Sequence, residues 1–475
     1  MALSKKPTTG MRDILPEEMQ IRDYVSGVIR DTYKRYGFTP IETPCVENIA
    51  NLTNKQGGDN EKLIFKILKR GEKLKIAEAL TEEEVVDGGL RYDLTVPLVR
   101  YYSNNAAQLP APFKALQMGS VWRADRPQKG RYRQFTQCDI DIFGEASNLA
   151  EIELILATTT TLGRLGFQGF EIRINDRQLL KAMAMGGGFA EEDCDGVFIT
   201  LDKMDKIGMD GVRAELLENG FAEEAVDRYL ELYRGLEEAE NGLQYIAEKL
   251  EEGQAQAASA GKSEKSRSQE ASAENAEKPE ESQSQVVSAK KAQDRSGAVA
   301  GESEENRFQA VAAAEGLREI IDSVNAAKTA DFRMVFDPTL VRGMSYYTGT
   351  IFEIAIPGLG ISCGGGGRYD KMVGKFTGKD VPACGFSIGF ERIILLLTES
   401  GFKVPDAPKK TAYLVEKGVE GRAMTDVISK AQAAREAGEQ VLVVRMNKNK
   451  KFQKEQLAAE GYEEFVDFYR EALKN

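Results

Sequence analysis

The sequence predicts a mixed α/β protein of the α+β type, with a separate small α/β unit near its C-terminal end. Three observations point there. Phe113 to Gly144 reads as two alternating segments joined by a polar loop, a pattern with the two-residue period of strands. A helical, acidic stretch follows from Arg177 to about Glu252, after which strand pattern returns from Asp331. Beyond Pro405–Pro408 the pattern becomes strand, helix, strand, basic helix.

In chain order, Pro16 suits the first turn of a helix and is followed by acids that favour a helix N-terminus. Ile21, Val25, Val28, Ile29, Tyr33 and Tyr36 recur at helical spacing, and Gly37 stops the run. Pro40 and Pro44 bracket a short extended piece. The stretch NKQGGDNEKLIFKIL suggests a strand, and in LRYDLTVPLVRYY Arg91, Asp93 and Thr95 alternate with apolar neighbours. Asp93 and Thr95 then share a strand face, where an acid and a hydroxyl could meet an ammonium group together; a salt-bridged strand end is the alternative.

In the second half of the 113–144 hairpin, Thr136, Cys138, Ile140 and Ile142 fall on one side, and Arg133, Gln137, Asp139 and Asp141 on the other. One face can pack a core while the other presents acids and amides to a ligand. From Arg123 to Arg133 there are five cations and one acid, with Gly130 allowing a bend. Guanidinium groups fork onto carboxylates and phosphates, so the loop reads as a polyanion holder rather than a solvated charged turn.

Ser147 or Asn148 can cap a helix through Gly166, and FEIRIND gives a strand. Residues 253–306 are built from Ser, Ala, Glu, Gln and Lys without an aromatic residue, which predicts a disordered linker. Strand pattern in DFRMVFDPTLVRGMSYYTGTIFEIAI sets Phe352, Ile354 and Ile356 on one face and Tyr347, Ile351 and Glu353 on the other. SCGGGGRYD reads as a glycine-rich turn from Ser362 to Asp370, which could let backbone approach a ligand closely or serve as a flexible hairpin tip. GFSIGFERIILLL is a strand running into an apolar helix with Arg392 on its first turn, a place suited to anionic groups.

Composition narrows the chemistry. Net charge is −12, so any nucleic-acid contact must use local basic patches: the hairpin loop, and Arg445–Lys454 with five cations and no acid. The five cysteines lie far apart without a CxxC pair, and with no histidine a zinc site is not expected. Absent histidine also excludes Ser-His-Asp and Cys-His devices and any imidazole base. There is no signal-like N-terminal run and no 18-residue apolar span, so the reading is a soluble, cytoplasmic protein without a membrane partner.

The hairpin with RPQKGRYRQF resembles motif 2 of class II aminoacyl-tRNA synthetases, and histidyl-tRNA synthetases in particular. LVRGMSYYTGTIFE and CGGGGRYD resemble the segment pair of the same family; GFERI resembles its motif 3, and the N-terminal helix with its proline-bounded strand resembles motif 1. The resemblance implies an antiparallel-sheet catalytic core in two parts, 1–175 and 331–404, separated by a helical insertion at 176–252, the linker and a return helix at 307–330. It further implies a shortened anticodon-binding-like domain at 409–475 and a homodimer. The implied reaction joins histidine to ATP, with Mg²⁺, as histidyl-adenylate, then passes histidine to tRNA(His).

By the same resemblance, Arg123 and Arg392 would grip ATP phosphates, and Arg342 would lie opposite the attacking carboxylate. Asp93, Thr95 and Gln137 would hold the α-amino group, and Asp141, Tyr347 and Tyr369 would surround the imidazole. Arg126, Gln128 and Lys129 would meet the tRNA acceptor end. The alternative is a non-catalytic paralogue acting as the regulatory subunit of an ATP phosphoribosyltransferase; the arginines argue against it, while the short C-terminus lends it support.

Overall fold

The computed structural model describes residues 3–53, 60–77, 79, 81–250, 308–342, 346–356, 362–405 and 409–471. The linker expected at 253–306 lies outside the described residues. Two compact units are present: Met1–Asp13 with Val25–Leu395, and Ile14–Tyr24 with Leu396–Asn475.

In the first unit the strands are β1 (Thr39–Ile41), β2 (Val46–Asn48), β3 (Lys66–Leu68), β4 (Val86–Leu90), β5 (Phe113–Trp122), β6 (Gln134–Phe143), β7 (Phe170–Asp176), β8 (Phe332–Phe336), β9 (Thr350–Ala355), β10 (Ser362–Arg368) and β11 (Ala383–Ile388). Eight of them form one sheet in the order β1-β5-β6-β11-β10-β9-β7-β8, while β2-β4-β3 form a small antiparallel sheet. The six central strands of the large sheet pair antiparallel, and β1 and β8 are added parallel at its edges. This matches the antiparallel core implied by the resemblance.

The β5–β6 hairpin forms as its alternation predicts, with Phe113 opposite Phe143 and Trp122 opposite Gln134. Cys138, Ile140 and Ile142 are buried on one face. A helix over Leu149–Arg164 supplies Glu151, which is fully buried and takes both prongs of Arg368 from β10, each at 2.7 Å. A buried charge pair this well matched ties helix to sheet, because removing either partner strands the other charge. The stretch after β7 is helical, over Arg177–Gly187, Cys194–Leu201, Met204–Glu218 and Glu223–Glu238, with non-helical backbone at Gly208.

Two expectations are corrected. LRYDLTVPLVRYY is not a strand past Leu90: Thr95–Asn105 is a helix. Asp93 accepts from the Val96 N–H at 3.0 Å, and Pro97 sits in the first turn where its missing N–H costs nothing. The alternation seen in the sequence was a cap followed by a helix. Likewise the glycine run at 362–370 is not a turn but β10, a central strand between β9 and β11. Its glycines reflect crowding: a Cβ at Gly366 would lie 1.9 Å from the Gly385 carbonyl oxygen and 2.7 Å from the Phe352 ring.

The second unit carries β12 (Lys410–Val415), β13 (Gln440–Arg445) and β14 (Glu464–Phe468), a parallel sheet in the order β13-β12-β14, with helices over Gly421–Glu436 and Lys450–Ala459. The strand-helix-strand-helix expectation holds, and β14 follows the basic helix as a further strand. Asp467 on β14 pairs with Lys450 at 3.0 Å and Lys454 at 3.1 Å, so part of the basic stretch is already neutralised within the unit.

Gly366→Ala is expected to destabilise the protein by about 3 kcal/mol or more, since the clash is with backbone that cannot rotate away. Urea unfolding checks this, and an unchanged midpoint would contradict the close-packed reading of β10.

Candidate active site

A cleft of about 670 Å³ opens on the face of the large sheet that carries the polar residues of β6. Asp93, Thr95, Arg123, Gln137, Asp141, Arg342, Tyr347, Tyr369 and Arg392 all line it. Nine residues scattered over 300 positions of sequence are thus brought to one place. Arg126, Gln128 and Lys129 are exposed at the hairpin tip, where Gln128 and Arg131 form an isolated bridge, and they do not line the cleft.

Strand alternation on β6 aims Gln137, Asp139 and Asp141 the same way, and each is under 9% exposed. Asp141 is reached from across the sheet by Tyr369, whose hydroxyl donates to Oδ1. Its Oδ2 is buried without a hydrogen-bond partner among the described residues. Burial, with Asp139 adding like charge, pushes the Asp141 carboxyl well above the usual range. Asp139 accepts from Gln137 Nε2 at 3.0 Å and from Ser387 Oγ at 2.5 Å, yet burial and the neighbouring Asp93 raise it to about 7. Asp93 is raised too, chiefly by burial. These three buried acids therefore face one space, with Arg123 as the cation near Asp93 and Asp139.

Asp139 was placed on this face by the sequence pattern but not among the site residues; spacing alone does not tell an acid that aims at a ligand from one that braces a neighbour. Asp93 and Thr95 reach the cleft from the N-terminal end of the helix Thr95–Asn105, not from a strand face.

Five arginines line the cleft, and three of them, Arg123, Arg342 and Arg392, are held by neutral or acidic anchors. Arg123 donates to the Tyr92 carbonyl at 2.8 Å and lies 5.1 Å from the Phe135 ring centre. Arg342 pairs with Glu353 at 2.5 Å and donates to Ser362 Oγ at 2.9 Å. Arg392 donates to the Ser362 carbonyl, so two arginines about 50 positions apart in sequence converge on one residue of β10. A Cβ at Gly365 would stand 2.0 Å from Arg342 Nη1, which is why that strand position carries no side chain. Burial, reinforced by the Arg342 charge, lowers the Arg392 pKa. Crowded cations of this kind are relieved by a polyanion, and forked guanidiniums suit phosphate oxygens.

The arrangement can hold a ligand with cationic or N–H donor groups at one end and several anionic oxygens at the other. Among its charged groups, Asp139 allows a test by pH. Folded Asp139 keeps its proton to about 7, whereas an unfolded Asp loses it near about 3.9. Between these values folding takes up a proton, so this carboxyl costs stability increasingly as pH rises. Asp139→Asn is expected to gain stability relative to the parent protein from about pH 5 to about pH 8, read as the difference in urea midpoints. A difference that does not change with pH would contradict this.

Comparison with known proteins follows the same lines. The family model for histidyl-tRNA synthetase matches residues 10–268 and 246–393. A histidine–tRNA ligase from Leifsonia xyli is 40% identical over 98% of this chain and 96% of its own length. One from Christiangramia forsetii is 34% identical over 87% of this chain and 81% of its own. Among solved structures, histidyl-tRNA synthetase from Nostoc sp. PCC 7120 matches with a TM-score of 0.68 and 25% identity, covering 97% of this chain and 90% of that one. An ATP phosphoribosyltransferase regulatory subunit/histidyl-tRNA synthetase from Bacillus halodurans shares the fold at 17% identity and TM-score 0.68. With a family model spanning most of its length and relatives at this identity, the chain belongs to the histidyl-tRNA synthetase family.

Proposed function

We infer that the chain is a histidine–tRNA ligase, which activates histidine with ATP and passes it to tRNA(His). The observation that carries the site assignment is Asp141: Oδ1 takes the Tyr369 hydroxyl, while Oδ2 is buried and, among the described residues, unpaired, in a cleft that Arg123, Arg342 and Arg392 also line. A bare buried acceptor costs free energy until a donor arrives. An imidazole N–H supplies one, and Tyr347 beside it offers a phenol to the second ring nitrogen. A site that pairs both nitrogens rejects side chains lacking them.

With the ring so placed, Asp93, Thr95 and Gln137 receive the α-ammonium group, which offsets the like charge of the buried acids. The substrate carboxylate then points toward Arg123 and Arg342 and attacks the α-phosphorus of ATP, forming a C–O–P bond as pyrophosphate leaves. A carboxylate is ionised at neutral pH and needs no general base, which suits a chain without histidine. Arg123 and Arg392 hold the phosphates, and Arg342 meets the negative charge that grows on the equatorial oxygens. Mg²⁺ carried in with ATP would supply positive charge against the triphosphate, beside Arg123 and Arg392. The exposed Arg126, Gln128 and Lys129 suit the phosphates of the tRNA acceptor end. A homodimer working in the cytoplasm completes the reading; among the described residues no helix is long and apolar enough to cross a membrane.

Histidine-dependent exchange of label between pyrophosphate and ATP tests the activation step. The purified chain is expected to catalyse it, and Arg342→Ala to lose at least about 100-fold in kcat, the usual cost of removing one group that stabilises developing charge. Exchange that ignores histidine, or survives undiminished in the variant, would overturn the assignment.

A further inference from the structure

Gln137 is the one amide in the expected ammonium site, and an amide can present either an acceptor or a donor. Which of the two faces the ligand decides whether an ammonium group is welcomed or repelled. The neighbours of the amide are therefore part of the specificity.

Gln137 Nε2 donates to Asp139 Oδ2 at 3.0 Å, with Oδ1 at 3.3 Å and Ser387 Oγ at 3.4 Å. Its Oε1 lies 3.5 Å from Arg123 Nη2, on the cleft side. Gln137 and Asp139 stand on β6 two positions apart, hence on one face, and Ser387 is the direct cross-strand partner of Asp139 on β11. Ser387 Oγ donates to Asp139 Oδ1 at 2.5 Å, so both carboxylate oxygens are engaged and the side chain is only 4% exposed. Above about pH 7, where Asp139 is ionised, its carboxylate only accepts. Turning the amide over would set Oε1 against that carboxylate at about 3 Å, two acceptors with no proton between them.

We propose that Asp139 is a positioning residue: by holding Gln137 Nε2, it keeps Gln137 Oε1 facing the cleft as the acceptor for the α-ammonium group of the bound amino acid. The proposal rests on the reading of this cleft as the histidine site. Asp139 acts through Gln137 and touches no reacting atom. Asparagine at 139 has nearly the same shape but offers an NH₂ of its own, so Gln137 is free to turn and present its NH₂ to the ligand.

Two competitive inhibitors of the exchange reaction separate this role from a structural one. Histidinol keeps the ammonium and imidazole and lacks the carboxylate; imidazolepropionate keeps the ring and carboxylate and lacks the amine. In Asp139→Asn the Ki for histidinol and the KM for histidine are expected to rise together by about tenfold or more, the value of a hydrogen bond to a charged group. The Ki for imidazolepropionate and the KM for ATP should stay within about twofold. In a Gln137→Ala background, Asp139→Asn should add less than about twofold for histidinol, because its route of action is gone. Ser387→Ala, which removes one of the two donors holding Asp139, should raise the histidinol Ki by about threefold with imidazolepropionate unchanged, and serves if Asp139→Asn does not fold.

Equal weakening of both inhibitors, or additive effects in the double variant, would overturn the role of Asp139 and leave the histidine site standing. A Gln137→Ala variant that binds histidinol as tightly as the parent would overturn the ammonium site itself, and the proposal with it.

Discussion

Three buried carboxylates facing one cleft, two on β6 and one at a helix N-terminus, are the constraint on which the site depends. Asp93, Asp139 and Asp141 are each nearly inaccessible; burial raises the cost of ionising all three, and like charge adds to it for Asp139 and Asp141. The contrast within the same unit is Glu151, equally buried but fully matched by Arg368, whose task is to join a helix to the sheet. Among the described residues Asp141 is left with an unpaired oxygen, and Asp139 with amide and hydroxyl donors in place of a cation. A fold keeps such a deficit where a ligand makes it good. Here the ligand must bring positive charge and N–H donors, which an amino acid with an imidazole side chain does.

The opposite deficit stands beside it. Arg342 and Arg392 are drawn together at Ser362, and the glycines of β10 give the room for it. Cations crowded in this way call for a polyanion. Acid floor and arginine wall share one cleft, so a zwitterion bound between them has its carboxylate turned toward the phosphates. The chemistry then consists of positioning and charge stabilisation, with no imidazole or thiol needed.

Much of this was legible in the sequence, and the failures have physical causes. The β5–β6 hairpin showed itself because its second arm sets Thr136, Cys138, Ile140 and Ile142 against Gln137, Asp139 and Asp141 at a period of two. The segment 91–105 misled because Asp93, Thr95 and their apolar neighbours alternate by accident over the five positions that hold a cap and the first turn of a helix. The glycine run of β10 misled because glycine carries no periodicity, and only the packing of Phe352 and Gly385 against it makes it a strand. Convergence of Arg342 with Arg392 could not be read from spacing, since it follows from strand order. Asp139 was seen on the ligand face; what hid its place was that its partners, Gln137 and Ser387, lie on two strands that only the sheet brings together.

The most direct test of the account is charging of tRNA(His) with labelled histidine by the purified chain, beside Asp141→Asn. The account predicts that the parent chain charges the tRNA, and that the variant loses about 100-fold or more in kcat/KM for histidine, since its buried side chain turns a donor toward the ring. A parent chain that binds histidine and charges nothing, or a variant that charges as well as the parent, would contradict it.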